Sequence, residues 1–273
     1  MNEQAGRVAL VTGAARGIGK AISMHLAKEG AHVLVTDIDA DAAARTVAEM
    51  KARGLSADAV TLDVTDSRAE RSMVDELHAN HGRIDILVSN AGAGKAKPFL
   101  DVTEAELAFQ MSLNFSGVYA IAQACAQKMR AAGYGRVVLV SSVTGLAGPI
   151  DLSAYGSMKA GQFGLMRAMA LELAEHGITT NAVAPGPIDT ELLRAAWADD
   201  MIADAADRIP LRRIGKPEDV AYAVGFLASP QASFLNGVTI AVDGGFTAAG
   251  GYMSEIYRRR KMQKDAHPEH SSC

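Results

Sequence analysis

The sequence predicts an α/β fold: a doubly wound, seven-stranded parallel sheet with helices on both faces, in a single three-layer α/β/α domain. Short apolar runs rich in Val and Ile alternate with longer helical patterns along almost the whole chain. Aromatic residues make up only 5% of the chain, which suits a sheet closely covered by helices. No linker divides the chain before about residue 245. We therefore expect one domain over residues 1–250 and a partly disordered C-terminal extension over residues 251–273.

The apolar runs are predicted as strands buried on both faces, because they are almost continuously apolar. In chain order they are Arg7–Thr12, Ala31–Asp37, Ser56–Leu62, Ile84–Ser89, Arg136–Ser142, Thr179–Ala184 and Val238–Val242. The helical patterns between them are Gly17–Glu29, Asp41–Arg53, Ser67–His81, Thr103–Ala132, Ala154–His176 and Pro217–Ala228. Regular alternation of the two predicts parallel strands joined by right-handed crossovers.

Charge and cysteine content narrow the classes of protein. The net charge of −4 gives no reason to expect nucleic acid or an anionic membrane as a partner. The cysteines are Cys125 and Cys273, so a disulfide framework is not expected and a reducing cytosol is the simplest compartment. The first residues resemble no signal peptide, and no apolar run approaches the roughly 20 residues that span a bilayer. We expect a soluble, cytoplasmic protein.

A glycine-rich turn follows the first predicted strand and opens the first helix. It contains Gly13, Gly17 and Gly19, with Arg16 and Ile18 between them. Glycine allows a sharp turn and a close approach of the backbone to phosphate, and the N–H groups at a helix start attract anions. The spacing differs from the usual G-x-G-x-x-G fingerprint. Its place in the first βα turn nevertheless predicts a Rossmann-type dinucleotide site.

Residues at the ends of the next strands indicate which dinucleotide binds. Asp37, followed by Ile38, ends the second strand, where a carboxylate can accept both adenosine ribose hydroxyls and repel a 2′-phosphate. This favours NAD over NADP, although the guanidinium of Arg16 could instead reach a 2′-phosphate. Asp63 and Val64 close the third strand, where the carboxylate could hold the adenine amine.

Small residues close the fourth strand at Asn90, Ala91 and Gly92. They allow a cofactor to lie against the backbone. Ligands in open α/β sheets bind at the carboxyl ends of the strands, so we expect these residues to meet the glycine turn in space.

Tyr155 and Lys159 share one face of a predicted helix, because positions i and i+4 are neighbours. A tyrosine normally titrates near 10. A nearby ammonium favours the phenolate, so we expect a lowered pKa for Tyr155 and a role in acid/base catalysis. Ser142 ends the fifth predicted strand, where its hydroxyl could hydrogen-bond a carbonyl oxygen. The neighbouring Ser141 fits a strand-capping role better.

Taken together, these motifs resemble those of the short-chain dehydrogenase/reductase family in its roughly 250-residue form. The resemblance covers about Gly6 to Thr247. It rests on the glycine turn, the Asn90-Ala91-Gly92 step, Ser142, Tyr155 with Lys159, and Pro185-Gly186 followed by Ile188 and Thr190. One small departure is Ser89 before Asn90, where Asn is commoner.

The resemblance implies further roles. Asn114 matches the fourth catalytic position, which holds a helix kink and a water that links Lys159 to solvent. Lys159 would also bind the nicotinamide ribose, while Ile188 and Thr190 would anchor the carboxamide. The family commonly forms tetramers through its two long helices, so a homotetramer or homodimer is expected.

The predicted substrate pocket is small and apolar. Its expected lining residues are Ala93, Gly94, Val143, Leu146, Gly148, Leu192, Leu193 and Trp197. The segment Glu191–Asp207 is predicted as a mobile lid. A modest ketone, a hydroxy acid derivative or an acyl thioester would suit such walls.

No metal site is expected from the sequence. His25, His32, His78 and His81 are interpreted as structural or solvent-facing. The histidines and the cysteine of the C-terminal extension are interpreted as a polar tail, and its basic run 258–261 as a solvated charge cluster.

The sequence thus predicts an NAD-dependent oxidoreductase that interconverts a small secondary alcohol and its ketone, with Tyr155 as general acid/base. Two alternatives stay open: an NADPH-dependent 3-oxoacyl thioester reductase, and a non-catalytic protein that senses NAD. A sensor would tolerate loss of Asn114, Ser142, Tyr155 and Lys159, yet all four are present. Lyase or epimerase chemistry on this scaffold normally needs a longer chain with its own substrate domain.

Overall fold

The apolar runs form one parallel sheet of seven strands in the order β3-β2-β1-β4-β5-β6-β7. This computed structural model describes residues 3–148 and 150–248, so the predicted C-terminal extension lies outside the described residues. The strands are β1 (Val8–Thr12), β2 (His32–Asp37), β3 (Ala57–Thr61), β4 (Ile86–Ser89), β5 (Gly135–Val140), β6 (Ile178–Pro185) and β7 (Thr239–Val242). The order reverses between β1 and β4, which confirms the predicted doubly wound, Rossmann-type fold.

Helices cover both faces of this sheet. They are α1 (Gly17–Lys28), α2 (Ala40–Ala52), α3 (Ser67–His81), α4 (Glu104–Met111), α5 (Gly117–Ala132), α6 (Ser153–Glu172), α7 (Glu191–Ala196), α8 (Asp199–Arg208) and α9 (Pro217–Ala228). Within the described residues, none of them has the length and apolar character that a membrane crossing requires.

Alternate residues of each strand supply the two hydrophobic cores. Val11 and Val35 face α1, α2 and α9, whereas Leu10 and Leu34 face α3, α5 and α6. All four side chains are fully buried. Because a strand points successive side chains to opposite sides, the continuously apolar runs of the sequence fill both layers at once.

The prediction that every strand is buried on both faces is wrong for the two outer strands. β3 and β7 were predicted to be buried on both faces, but each is an edge strand and only part of its surface is covered. β3 alternates between covered and exposed residues, because it pairs with β2 alone and its outward-facing residues meet solvent. The alternation of Asp58 and Val60 with small residues is typical of such an edge.

The predicted helix Thr103–Ala132 is also wrong as one continuous element. Thr103 caps α4 through a reciprocal pair of hydrogen bonds with Glu106. A wide π-helical turn over Ser112–Ser116 then separates α4 from α5. Wide turns of this kind often mark functional sites.

A buried amide attaches the edge strand β7 to β6. Asn181 is fully buried in β6; its Nδ2 donates to the Leu235 carbonyl (2.9 Å), and its Oδ1 accepts from the Val238 N–H (3.1 Å). The side chain thereby satisfies two backbone groups of the segment that leads into β7. Loss of this amide leaves both partly buried groups without this partner.

We expect Asn181→Ala to lower the free energy of unfolding by about 1–3 kcal/mol, because two partly buried backbone groups lose their partners. Urea unfolding at fixed protein concentration measures the change. Asn80→Ala removes an amide from an exposed position of α3 and serves as the matched control. Equal stability of the two variants would contradict this role of Asn181.

Candidate active site

The carboxyl ends of β1, β2, β4 and β5 border a cleft of about 410 Å³, at the point where the strand order reverses. A second depression of about 330 Å³ shares Gly13, Asp37 and Ala91 with it and continues to the end of β3. The predicted cofactor residues that line this continuous cleft are Gly13, Arg16, Gly17, Ile18, Gly19, Asp37, Ile38, Asp63, Val64, Asn90, Ala91, Gly92, Tyr155, Lys159 and Thr190.

The backbone of the glycine turn lies so close to the end of β4 that a residue with a side chain would not fit there. A Cβ on Gly13, whose φ is +61°, would lie 2.8 Å from the Cα of Ala91. A Cβ on Gly19 would lie 2.1 Å from the carbonyl oxygen of Gly13. The turn is therefore restricted to glycine at both positions, as the sequence predicts.

The start of α1 has the features that favour an anion. Its N-cap residue, Arg16, makes no capping hydrogen bond with its side chain, and the first turn contains no acidic residue. Gly17, Ile18 and Gly19 expose this helix start to the cleft. Free N–H groups and the helix dipole favour a phosphate here. These residues fit the pyrophosphate of a dinucleotide.

Asn90 fastens the glycine turn to β4. Its Nδ2 donates to the carbonyls of Thr12 and Gly13, both at 3.0 Å. The hydroxyl of Thr12 accepts the backbone N–H groups of Asn90 and Ala91, also at 3.0 Å. Thr12 was not among the predicted site residues; its position as the last residue of β1 was the available signal.

Two carboxylates lie at the end of β2, where the sequence predicts the adenosine of the cofactor. Asp37 accepts the N–H groups of Ala15 and Asp39 (both 3.1 Å), so backbone donors fix its orientation. The guanidinium of Arg16 forms an ion pair with Asp39. Arg16 is therefore engaged by a carboxylate, although its side chain remains about half exposed.

The third strand closes the same end of the cleft. The carboxylate of Asp63 accepts from the N–H (2.9 Å) and the hydroxyl (2.7 Å) of Thr65. Asp63 lines the same depression as Leu62 and Val64. The carboxyl is exposed, as a group that contacts a ligand must be.

Tyr155 lies in the wall of the cleft with its ring against the backbone of Gly94, where a Cβ would stand 2.7 Å from Cγ. Burial raises the pKa of the Tyr155 phenol, and a hydrogen bond with the Ser142 hydroxyl lowers it by less. The expectation that Lys159 lowers this pKa is wrong for the protein alone. Burial dominates, and the Lys159 ammonium lies 5.7 Å from the ring centroid.

Lys159 is a buried cation with one carbonyl partner. Its Nζ donates to the Val140 carbonyl at 2.9 Å, and desolvation lowers its pKa to about 8. The Lys159 amine is thus mostly in its protonated, charged form at pH 7.

The two serines at the end of β5 make different contacts. The Ser141 hydroxyl donates to the Lys159 carbonyl (2.8 Å) and fixes α6 against the end of β5. The Ser142 hydroxyl accepts from the Thr144 N–H (3.2 Å).

Asn114 lies in the wide turn between α4 and α5, fully buried. Its Nδ2 donates to the Ala93 carbonyl (3.0 Å) and to Gln110 (2.8 Å). Its Oδ1 has no hydrogen-bond partner within residues 3–148 and 150–248. A Cβ on Gly92 would lie 2.6 Å from this oxygen and 3.2 Å from the Nζ of Lys159. The Asn114 oxygen and the Lys159 ammonium thus lie on either side of the space next to Gly92, beside the cleft.

Gln162 was missed from the sequence. It is buried one turn after Lys159 on α6, and its Nε2 donates to the Asn114 carbonyl at 2.7 Å. A polar residue between Gly161 and Phe163 on the packed face of α6 was the only signal, and it does not identify the partner.

The remaining predicted residues lie around the cleft at varying depth. Ala93 and Leu192 line it or the adjoining depression, and Leu192 is largely exposed. Val143 is buried, Leu146 exposed, and Leu193 and Trp197 are half-buried. The role of these four residues in a substrate pocket stays a prediction, as does that of Gly148. The predicted lid segment forms α7 and α8.

The segment after β6 is anchored by backbone contacts. The Gly186 N–H donates to the Val242 carbonyl (3.0 Å) and continues the pairing of Pro185 in β6 with β7. Ile188 is buried and forms a parallel bridge with Gly215. Thr190 caps α7 by accepting from the Leu193 N–H (3.2 Å).

Comparison with known proteins agrees with this geometry. A family model described as enoyl-(acyl carrier protein) reductase matches residues 13–247. The cis-4-hydroxycyclohexanecarboxylate dehydrogenase of Sinomonas cyclohexanicum is 41% identical over 245 residues, covering 89% of this chain and 97% of that protein. The 3-oxoacyl-(acyl-carrier-protein) reductase of Escherichia coli strain K12 is 36% identical over 240 residues, covering 88% of this chain and 97% of that protein.

A solved structure shows the same fold. A gluconate 5-dehydrogenase from Burkholderia cenocepacia J2315, in complex with NADP and tartrate, superposes with a TM-score of 0.86 at 34% identity, covering 91% of this chain and 99% of that chain. The fold, the residues of the cleft and the similarity to these proteins identify the same family. The chain belongs to the short-chain dehydrogenase/reductase family of oxidoreductases.

Proposed function

We propose that the protein is an NAD-dependent dehydrogenase that interconverts a small secondary alcohol and its ketone. The observation that carries this proposal is Tyr155 in the cleft wall, hydrogen-bonded to Ser142 and one helical turn from the buried ammonium of Lys159. An acid/base, a hydroxyl donor and a cation meet beside a cleft that fits a dinucleotide.

The protein residues would handle the proton of the alcohol. A hydroxyl bound between Ser142 and Tyr155 would give its proton to the phenolate oxygen as the C–H bond breaks, and regain it in the reverse direction. NAD, when bound, supplies the acceptor for the hydride. The Ser142 hydroxyl would hydrogen-bond the oxygen that becomes a carbonyl.

Lys159 and Asn114 would support this proton transfer. The Lys159 ammonium favours the phenolate, and its effect grows when a ligand excludes water from the cleft. The unpaired Oδ1 of Asn114 beside the Lys159 ammonium could hold a water that returns the proton to solvent.

The carboxylates at the adenosine end support NAD. Asp37 faces the cleft, and Arg16, the group that would bind a 2′-phosphate, is paired with Asp39. A 2′-phosphate would therefore meet two carboxylates and would compete with Asp39 for Arg16. A relative of this chain is described in complex with NADP, so cofactor choice needs its own measurement.

An NADPH-dependent 3-oxoacyl thioester reductase is the second candidate. It is favoured by the likeness to the 3-oxoacyl-(acyl-carrier-protein) reductase and by a cleft that is open rather than enclosed. A panel of secondary alcohols, ketones and a 3-oxoacyl thioester, assayed with both cofactors by nicotinamide absorbance, separates the two candidates. Turnover of the thioester alone, and with NADPH as the required cofactor, would favour the reductase over the dehydrogenase.

The third alternative, a protein that senses NAD without turnover, has no support from the site, because all four predicted catalytic residues are present.

The proposal includes an assembly of two or four copies through α5 and α6. A groove of about 360 Å³ runs between these helices, with Tyr119, Leu165 and Met169 in its walls. Tyr119 is half exposed, as expected of a side chain that a second copy would cover.

Tyr155→Phe should lower kcat by about 10²- to 10⁴-fold, because the acid/base is removed. The dissociation constant for NAD, measured by fluorescence titration, should stay within about threefold, since the pyrophosphate and adenosine sites are unchanged. Tyr222→Phe, at an exposed site on α9, is the matched control. Turnover near that of the control would refute the proposed mechanism.

Asp37→Ala should weaken NAD binding by about 10- to 100-fold, because charged hydrogen bonds to the ribose are lost. Binding of NADP should change less, so the preference for NAD should shrink. Calorimetric titration with both cofactors measures the two affinities. Asp41→Ala, at an exposed position of α2, is the control. Unchanged discrimination would exclude Asp37, and tighter NADP binding by the unmodified protein would exclude NAD as the preferred cofactor.

Gln162→Glu should lower kcat by about tenfold with little change in KM, because the donor to the Asn114 carbonyl is replaced by a carboxylate of the same shape. A positioning role through Asn114 and Lys159 should also move the basic limb of the pH–rate profile, which a general loss of stability would not. Gln231→Glu, at an exposed position after α9, controls for the added charge. An unaltered pH profile would contradict the positioning role.

A further inference from the structure

Three residues that the proposed reaction does not use meet at the edge of the sheet. His32 is the first residue of β2, Asp58 the second of β3, and His81 the last of α3. One ligand atom of each lies within 4.8 Å of the other two. Because His32 and Asp58 lie near the amino ends of parallel strands, this cluster is at the opposite end of the sheet from the cleft.

His32 is oriented with one nitrogen toward Asp58. Its Nδ1 lies 2.7 Å from the hydroxyl of Ser56, and its Nε2 lies 3.1 Å from an oxygen of Asp58. The second contact lacks hydrogen-bond geometry, and Nε2 is a buried atom without a hydrogen-bond partner in the described part of the chain. When Nδ1 carries the proton, a nitrogen lone pair faces a carboxylate oxygen, and a cation between them would satisfy both.

The separation of these two atoms suits a metal ion. Zn²⁺ binds imidazole nitrogen and carboxylate oxygen at about 2.0–2.2 Å with tetrahedral angles, which places neighbouring ligand atoms about 3.3–3.5 Å apart. The 3.1 Å between Nε2 of His32 and Asp58 is close to that value.

Outer contacts hold both ligands in place. Ser56 bonds the far nitrogen of His32, and the ammonium of Lys51 bonds the other oxygen of Asp58 at 3.0 Å. Partners of this kind orient metal ligands and fix the histidine tautomer. Lys51 also competes with a metal for Asp58, but its side chain is more than half exposed and can move into solvent.

His81 would complete the site by turning its ring. The rings of His32 and His81 lie 4.8 Å apart between centroids, tilted by 32°. In this near-stacked arrangement their lone pairs do not converge on one point. His81 is the last residue of α3, next to Gly82 with its left-handed backbone, so its side chain can rotate without disturbing the helix. A fourth position would remain open to water.

We propose that His32, Asp58 and His81 form a binding site for a divalent transition-metal ion, with Zn²⁺ as the ion that best fits two imidazoles and one carboxylate. The bound ion would crosslink β2, β3 and α3 at the end of the sheet remote from the cleft. It would stabilise the folded chain by mass action and leave basal turnover unchanged, since none of its ligands borders the cleft.

The test is zinc titration of the untagged, full-length protein after treatment with a chelator. A triple variant, His267→Ser, His270→Ser and Cys273→Ser, removes the competing donors of the C-terminal extension and serves as background. Calorimetry with Zn²⁺ should show one ion per chain, and Co²⁺ should give the visible absorption of a four-coordinate ion. The thermal midpoint should rise with Zn²⁺ concentration.

In this background, His81→Gln and Asp58→Asn should each weaken zinc binding by at least about tenfold, since each removes a ligand but keeps the side-chain size. His78→Gln, one turn earlier on α3, is the matched control and should bind zinc as the background does. Far-ultraviolet circular dichroism and turnover establish that each variant is folded. Equal affinity in the His81, Asp58 and His78 variants, or no binding at sub-millimolar Zn²⁺, would overturn the proposal.

Discussion

The contact between the glycine turn and the end of β4 is the constraint on which the site depends. Gly13 lies so close to Ala91 that no side chain fits between them, and the Asn90 amide at the end of β4 donates to the carbonyls of Thr12 and Gly13 in the turn. This contact closes the base of the crevice that the reversed strand order opens. It also aims the free start of α1 into the crevice, so the same geometry shapes the cleft and supplies its anion site.

Burial then determines the electrostatics of the catalytic groups. Lys159 is buried and donates to the Val140 carbonyl, so its positive charge acts in a poorly screened place. Tyr155 is harder to ionise in the protein alone. Its reactivity therefore depends on what enters the cleft, since a positively charged nicotinamide and the exclusion of water both favour the phenolate.

Much of the fold and the centre of the site follow from short-range patterns in the sequence. The glycine turn and the Tyr155–Lys159 pair are local, because their geometry is set by one turn or one helix. Edge strands were not separated from central ones, because strand order depends on pairing between distant segments. The contact of Gln162 with Asn114 escaped prediction for the same reason. His32, Asp58 and His81 lie on three elements, and no spacing relates them before the sheet and α3 are packed.

The wide turn at Ser112–Ser116 has a consequence for the helices on either side of it. One extra residue in a helical turn rotates all that follows by about 100°, the angle between neighbouring residues. α4 has no buried residues, whereas α5 buries a broad face against the sheet and α3. A regular helix through this segment would put the two halves in phase and carry Asn114 away from Gly92. Asn114 thus keeps its place beside Gly92 because the hydrogen-bond ladder of this helix is interrupted.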